Sequence, residues 1–454
     1  MLKNKDSKSW KNYSDSRIAL LVFFLFLTFY VLTSGGHPYY DEHMAFEVTK
    51  RLVEIGRLDV TEDSIQDYWE GSFRIGADGK FHSIFSPGWS LSLLPFALLA
   101  NFFSLNSLTW IFYNSIAVAL LCSLLYLFSR KIEVSISHSF VLVLLFGLTT
   151  TSWQYSKTGT AVVWSSCFLL ASIYFLYHHK NQESKKWYIL SGILTSLSVL
   201  TRYDSAIFIP FVIAFILINS KNNSAIKKIS LFLVPIFISA GFVMLYNYFI
   251  WGSILETGYG DFGQLAMHST FNGVVGLLVS PYTGLFLFAP VTILFFVAYP
   301  DFYKKDRTLS LLFMSIFIIS LLFYGTLSFW HGGHSWGPRY MFLTIPFLII
   351  TLGMSLKRKW FLMITMTLGA VGFFINMLGT LFLSQLAVSK AHSLGEEGWF
   401  DPFHSTLLYQ IQIALENRWD LYFFQANNWL DTIIIIMILA FEIWIFFKII
   451  IAKN

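Results

Sequence analysis

Residues 188–219, YILSGILTSLSVLTRYDSAIFIPFVIAFILIN, decide how this chain is laid out. Read as one helix, the run would extend about 48 Å at 1.5 Å per residue. A bilayer hydrocarbon core is only about 30 Å thick. In the middle stands Thr201-Arg202-Tyr203-Asp204-Ser205, and an Arg with an Asp inside lipid is costly. The run therefore predicts two short spans joined by a polar turn. Outward from it, apolar stretches suited to crossing lie at 18–34, 108–128, 137–153, 161–177, 229–250, 282–298, 309–328, 341–356, 361–384 and 430–450. The first reads as an uncleaved helix rather than a signal peptide. Segment 87–103 is apolar but begins Pro-Gly, and we place it on the membrane surface.

These assignments put 21 of the 31 Lys and Arg on one side and 10 on the other. If 87–103 and 188–219 each crossed once, the division would be 17 against 13, with Arg202 stranded. Cytoplasmic loops are rich in Lys and Arg, so the first arrangement is preferred. It has about 12 transmembrane helices, both termini in the cytoplasm, and most acids outside. The external loops are 35–107, 251–281, 329–340 and 385–429. We divide the chain into a core at 1–250 and a C-terminal set of helices at 251–454.

Composition agrees. Only 13% of the 454 residues are charged and 56% are hydrophobic, whereas soluble proteins carry about 25% charged residues. A soluble enzyme, a disordered chain and a disulfide scaffold are excluded; an all-α polytopic membrane protein is expected. The net charge of +5 comes without basic clusters, so no nucleic-acid partner is expected. Cys122 and Cys167 sit in apolar runs and read as small hydrophobes.

The first external loop opens with His37-Pro38-Tyr39-Tyr40-Asp41-Glu42-His43. Met44, Val48, Leu52 and Ile55 then recur at helical spacing opposite Glu47, Lys50, Arg51, Glu54 and Arg57. This predicts an amphipathic surface helix ended by Gly56. Asp41 and Glu42 stand at its N-terminus, where the dipole favours anions; capping is the plain reading of Asp41. Farther on, Asp78-Gly79 between Phe73-Arg74-Ile75 and Phe81-His82-Ser83 predicts a hairpin. A second juxtamembrane helix follows from Pro87.

Other polar groups stand at outer helix ends: Tyr155-Ser156-Lys157-Thr158, Arg202-Tyr203-Asp204, Glu256, Tyr259 and Asp261, Tyr282, and His331-Gly332-Gly333-His334-Ser335-Trp336-Gly337-Pro338-Arg339-Tyr340. Each has a plain reading: Arg202 and Asp204 pairing across a break, Lys157 snorkelling, aromatics as an interfacial belt. His331 and His334 suggest a metal, but Gly-Gly between them argues against one helix face presenting both. Together, Lys157, Arg202, Arg339, His331, His334 and Tyr340 form a receptor suited to a lipid-borne phosphate, which would sit at that depth. No cofactor is required, and no clear ligand set supports a divalent metal.

Several motifs, in order, resemble one family: Tyr40-Asp41-Glu42, Phe81-His82-Ser83-Ile84-Phe85-Ser86-Pro87-Gly88, Leu200-Thr201-Arg202-Tyr203-Asp204, Ser280-Pro281-Tyr282-Thr283-Gly284-Leu285-Phe286 and Trp330–Tyr340. The chain looks like a GT-C superfamily glycosyltransferase using a polyprenyl-phosphate-linked sugar, similar to protein O-mannosyltransferases and the aminoarabinose transferases of lipid A. The resemblance implies a seven-span core with two juxtamembrane helices in the first loop. It implies Asp41 as the catalytic carboxylate, with Glu42 beside it, acting as general base in an inverting transfer on the external face. Further site residues are Tyr40, His82, Tyr155, Asp204, Tyr259 and Tyr282. One departure stands out: many relatives carry an acid after the third span, where this chain has Lys157. The acceptor could be lipid A, a polysaccharide, another glycolipid or a protein. The competing class is a transporter or lipid flippase, which predicts internal repeats and midplane charge.

Overall fold

The computed structural model describes residues 15–35, 41–61, 70–102, 107–180, 184–220, 222–260, 270–422 and 429–451. Five helices are long and apolar enough to cross a membrane: Asp15–Leu32, Ile111–Lys131, Ser224–Trp251, Arg307–Gly325 and Lys359–Leu381. Shorter apolar helices include Ile136–Thr149, Val162–His178, Tyr203–Ile218, Thr270–Val279, Arg339–Leu352 and Thr432–Ile445. Helices satisfy every backbone group internally, the condition that lipid imposes on such sequences.

The deciding run is indeed two helices. Lys185–Thr201 ends where Arg202 turns extended, at φ −149° and ψ 110°. A 3-10 segment, Tyr203–Phe208, leads into Ile209–Ile218, with Pro210 in the first turn, where its missing N–H costs nothing. Lys185–Thr201 packs against Val162–His178 and Asn222–Trp251. Its contact with Val162–His178 is laced by hydroxyls, Ser165 to Ser198 at 2.9 Å and Ser172 to Ser191 at 2.6 Å, the small polar contacts that hold membrane helices together.

In the first loop, Asp41–Ile55 is helical and Gly56 leaves it at φ 68°. Its buried face is Met44, Ala45, Phe46, Val48 and Thr49, while Ile55 is exposed. The expected stripe through Leu52 and Ile55 is thus displaced. The cause is a protein neighbour: the helix lies on Pro87–Phe102, with Ala45 and Phe46 against Trp89 and Leu93, and Thr49 Oγ1 donating to the Ser90 carbonyl at 3.0 Å. The hairpin forms where expected, Phe73–Ile75 pairing antiparallel with Phe81–Ser83. A third short strand, Asp59–Val60, joins on the far side of Phe81–Ser83, a small sheet that the all-α reading did not include.

The second half departs more. The span expected at 282–298 is broken into Leu285–Phe288, a 3-10 turn at Pro290–Leu294, and Phe295–Lys305. Pro290 disfavours the helical conformation at the preceding Ala289, which sits at φ −139°. The loop expected at 251–281 contains a helix, Thr270–Val279, packed on Arg307–Gly325. There Gly273 approaches the Gly325 backbone so closely that a Cβ would stand 2.1 Å from its carbonyl oxygen. The region expected outside the membrane, 385–429, forms Ser384–His392, Gly395–Trp399 and Thr406–Leu415 among its described residues. The last helix, Trp429–Ile451, lies against the first, where Thr28 Oγ1 donates to Glu442 at 3.2 Å.

Ion pairs sort by end. Arg130–Asp15 (3.0 Å), Lys180–Asp306 (2.8 Å), Lys305–Glu133 and Arg358–Asp301 (2.7 Å) join segments assigned to the basic side. Arg57–Asp59, Arg74–Glu256, Lys157–Asp420, Arg202–Asp204 and Arg339–Asp41 join segments assigned to the other. Among the described residues no ion pair joins the two sets.

Candidate active site

Asp41 begins its helix, so the unpaired N–H groups of the first turn favour its charge. Its Oδ2 accepts a hydrogen bond from Arg339 Nη1 at 2.9 Å across 298 residues of sequence. Glu42, the next residue, is buried on the same turn.

Arg339 starts a 3-10 segment, Arg339–Thr344, at the end of a loop with three left-handed glycines: Gly332 at φ 78°, Gly333 at φ 65° and Gly337 at φ 68°. Glycine reaches this region without steric penalty. The turn at Gly332 folds over Arg339, whose Cβ would lie 3.2 Å from a Cβ on Gly332. Tyr340 stacks on Tyr324 at 4.6 Å between centroids, and the Arg202 guanidinium sits 5.6 Å from the Tyr340 centroid. Arg202 makes a two-point pair with Asp204, with Nε to Oδ1 at 3.0 Å, and Tyr324 donates its hydroxyl to Asp204 Oδ2 at 2.9 Å. The plain reading of this pair, closure of the break, is met. The pair uses two of the five N–H donors of Arg202. Asp41, Arg339, Tyr340, Arg202 and Asp204 thus form one continuous set. Two buried polar atoms beside it, Arg339 Nε and the Tyr155 hydroxyl, have no hydrogen-bond partner among the described residues.

The histidines form a second set. Gly333 N–H donates to His331 Nδ1 at 3.1 Å, which fixes the proton of a neutral His331 on Nε2. The Tyr282 hydroxyl donates to the Gly333 carbonyl at 2.7 Å and also meets His392 Nδ1 at 3.2 Å. His334 and His392 lie 4.2 Å apart between centroids, and His331 lies 4.1 Å from Trp399. Burial, reinforced by the neighbouring imidazoles, pushes His331 down to about 3 and His334 down to about 4. Burial likewise lowers His392. All three are neutral near pH 7. Among the described residues no group of three or more His, Cys, Asp or Glu is arranged to hold a metal ion.

Not every expected residue joins these sets. Lys157 was expected at the phosphate, but its Nζ contacts Asp420 Oδ2 at 2.9 Å, the Thr380 carbonyl at 2.7 Å and the Asp420 carbonyl at 2.8 Å. An ammonium has three donors, so its hydrogen-bonding capacity is taken up. Its side chain is 1% exposed. His82 is also turned to a structural use: Nε2 meets Asp78 of the hairpin turn at 3.0 Å, beside Trp251. Tyr259 packs its ring near Phe85, just past the Arg74–Glu256 pair. Tyr40, with His37, Pro38, Tyr39 and Asp261, lies outside the described residues.

Sequence reasoning missed Tyr324, His392 and Trp399, and read Asp420 only as one of several polar groups of the 385–429 region that could shape an acceptor site, where the structure pairs it with Lys157. None carries a local signal. Tyr324 reads as one more aromatic in an apolar run, and His392 and Trp399 lie after 384, far in sequence from their partners.

Residues 92–251, less than half the chain, match the family described as dolichyl-phosphate-mannose-protein mannosyltransferase. No curated protein matches. Among solved structures, ArnT from Cupriavidus metallidurans bound to undecaprenyl phosphate superposes with a TM-score of 0.51 at 12% identity, covering 87% of this chain and 76% of that one. Its apo form gives 0.51 at 13% identity, with 88% and 76% covered. An Archaeoglobus fulgidus oligosaccharyltransferase, in complex with Zn and sulfate, gives 0.52 at 14% identity over 81% of this chain and 53% of that one. At these identities the likeness establishes the fold alone: a polytopic, helical membrane architecture like that of ArnT.

Proposed function

We propose that this chain, which has the GT-C fold, is a membrane glycosyltransferase that moves a sugar from a polyprenyl-phosphate carrier to an acceptor hydroxyl with inversion. The observation that carries the proposal is the Asp41–Arg339 contact with Arg202 beside it. It joins a carboxylate able to take a proton to cations able to take a phosphate. The family match and the undecaprenyl phosphate bound to ArnT support such a carrier. The site would face outward, with both termini in the cytoplasm, following the charge division. The acceptor is a glycan, a glycolipid or a protein.

In the reaction the acceptor oxygen attacks the anomeric carbon while its proton passes to Asp41. The bond from that carbon to the phosphate oxygen breaks, and its electron pair stays on the phosphate. General-base assistance contributes roughly 10²–10⁴-fold. The carboxylate form of Asp41 is the one that can accept the proton, and its Oδ2 is held in place by Arg339 Nη1. Arg339 has donors besides the one on Asp41, Nε among them, and Arg202 has three beyond its Asp204 pair; these would meet the developing phosphate charge. The plain basis for preferring transfer to transport is the location of the polar set. Transporter sites lie near the bilayer midplane on internal repeats, whereas this set lies at one end of the helices.

The test is Asp41→Asn protein purified and assayed with a polyprenyl-phosphate-linked sugar. The variant should lose at least roughly 10²-fold in transfer rate. Unimpaired transfer would overturn the assignment.

A further inference from the structure

The region after Lys359–Leu381 brings its own groups to the site. Ser384–His392, Gly395–Trp399 and Thr406–Leu415 are tied to Gln154 and to the segment at 280–282 by hydrogen bonds, and meet the loop at 329–340 through ring contacts of His392 with His334 and of Trp399 with His331. The Ser280 hydroxyl donates to the Trp399 carbonyl at 2.6 Å, Thr406 Oγ1 donates to the Tyr282 carbonyl at 3.0 Å, and Gln154 Nε2 donates to Ser384 Oγ at 3.3 Å. The buried Lys157–Asp420 pair anchors the far end of the same region. This seats His392 beside His334 and against Trp399.

The hydrogen bonds also say which nitrogen of His392 carries its proton. Tyr282 has one hydroxyl proton, and at 2.7 Å it goes to the Gly333 carbonyl. The contact at 3.2 Å therefore has His392 Nδ1–H donating to the Tyr282 oxygen. A neutral imidazole with its proton on Nδ1 carries a lone pair on Nε2. His392 is half-buried, so this acceptor stands at an accessible edge of an aromatic wall formed with Tyr282 and Trp399. Cations suit a phosphate; a neutral acceptor on an aromatic wall suits a hydroxyl on a sugar ring.

We propose that His392 is a specificity-determining residue whose Nε2 accepts a hydrogen bond from a sugar hydroxyl, beside His334 of the loop that leads into Arg339. Tyr282 is its positioning residue. This rests on the transferase reading above. The hydroxyl belongs either to the transferred sugar or to the acceptor, and the kinetics separate the two.

The experiment compares wild type, His392→Ala and His392→Gln, each measured for KM of the sugar donor, KM of the acceptor, kcat, and affinity for sugar-free polyprenyl phosphate. His392→Ala should raise one KM at least tenfold while leaving affinity for sugar-free polyprenyl phosphate unchanged. A rise in donor KM assigns the transferred sugar; a rise in acceptor KM assigns the acceptor. Gln, which retains an acceptor oxygen, should recover part of the loss, a rescue that a packing role would not give. Both KM values unchanged in His392→Ala would overturn the proposal, as would an equal loss of affinity for the sugar-free lipid. If wild type itself transfers no sugar, the transferase reading and this proposal fall together; if wild type transfers and His392→Ala is silent, only this proposal falls.

Discussion

The two ends of the molecule use the same residue types to different ends. At the basic end, Arg130–Asp15, Lys305–Glu133 and Arg358–Asp301 each have at least one partner well exposed. Such pairs contribute little, typically under about 1 kcal/mol. At the other end, Arg202–Asp204, Arg339–Asp41 and Lys157–Asp420 are largely shielded, and removing charges from water costs several kcal/mol per ion. The basic end keeps one comparably shielded pair, Lys180–Asp306, so the contrast is between its exposed pairs and the shielded ones around Asp41, where we propose that charge serves the chemistry.

That contrast can be broken at graded points. The largest effect is expected from Arg202→Ala, which leaves Asp204 shielded without its counter-charge. Stability should fall by about 3–5 kcal/mol, read as a lowered melting temperature in detergent; an unchanged melt would mean that water reaches this pair as freely as those at the basic end. Next is Arg339→Ala, with about 3 kcal/mol lost from the transition state, seen as a transfer rate down about a hundredfold and weaker donor binding. Unchanged donor affinity would remove Arg339 from the phosphate.

A smaller effect comes from pH. His331 and His334 hold folded values of about 3 and about 4, below the ordinary 6.5. The unfolded chain therefore binds protons first, and stability is greatest above pH 6.5 and declines as pH falls from 6.5 towards 4. Denaturation across that window should show the decline, and a His331→Phe variant should show a shallower one. Smallest of all is Arg358→Ala at the basic end, expected to change stability by no more than about 1 kcal/mol. A larger loss would erase the distinction between the ends.

What could be read from sequence was what depends on neighbours in sequence. The break at Arg202, the hairpin about Asp78-Gly79 and the helix begun by Asp41 are set within a few residues, and each formed where its turn or cap signals lie. The helix Thr270–Val279 was passed over because ten residues fall short of a span, and only packing on Gly325 makes it a helix worth keeping. Arg202 and Arg339 stand out in the sequence as charges at the ends of spans, while Asp41 is singled out by the family resemblance, since local sequence reads it as a helix cap. Lys157 looked the same by that criterion. Its partner Asp420 lies 263 residues away, and nothing near either residue announces the other. His392 was hidden for the same reason, since its neighbours are supplied by Tyr282 and the turn at Gly333.

The distance between Asp41 and Arg339 along the chain also bears on how the protein is made. At roughly 5–20 residues per second, the 298 residues between them take tens of seconds to synthesise. During that time Asp41 must wait at the membrane surface for a partner that enters only with the tenth span. Asp420 arrives later still for Lys157. A nascent chain halted before Arg339 would have inserted the helices that precede it without the Asp41–Arg339 contact.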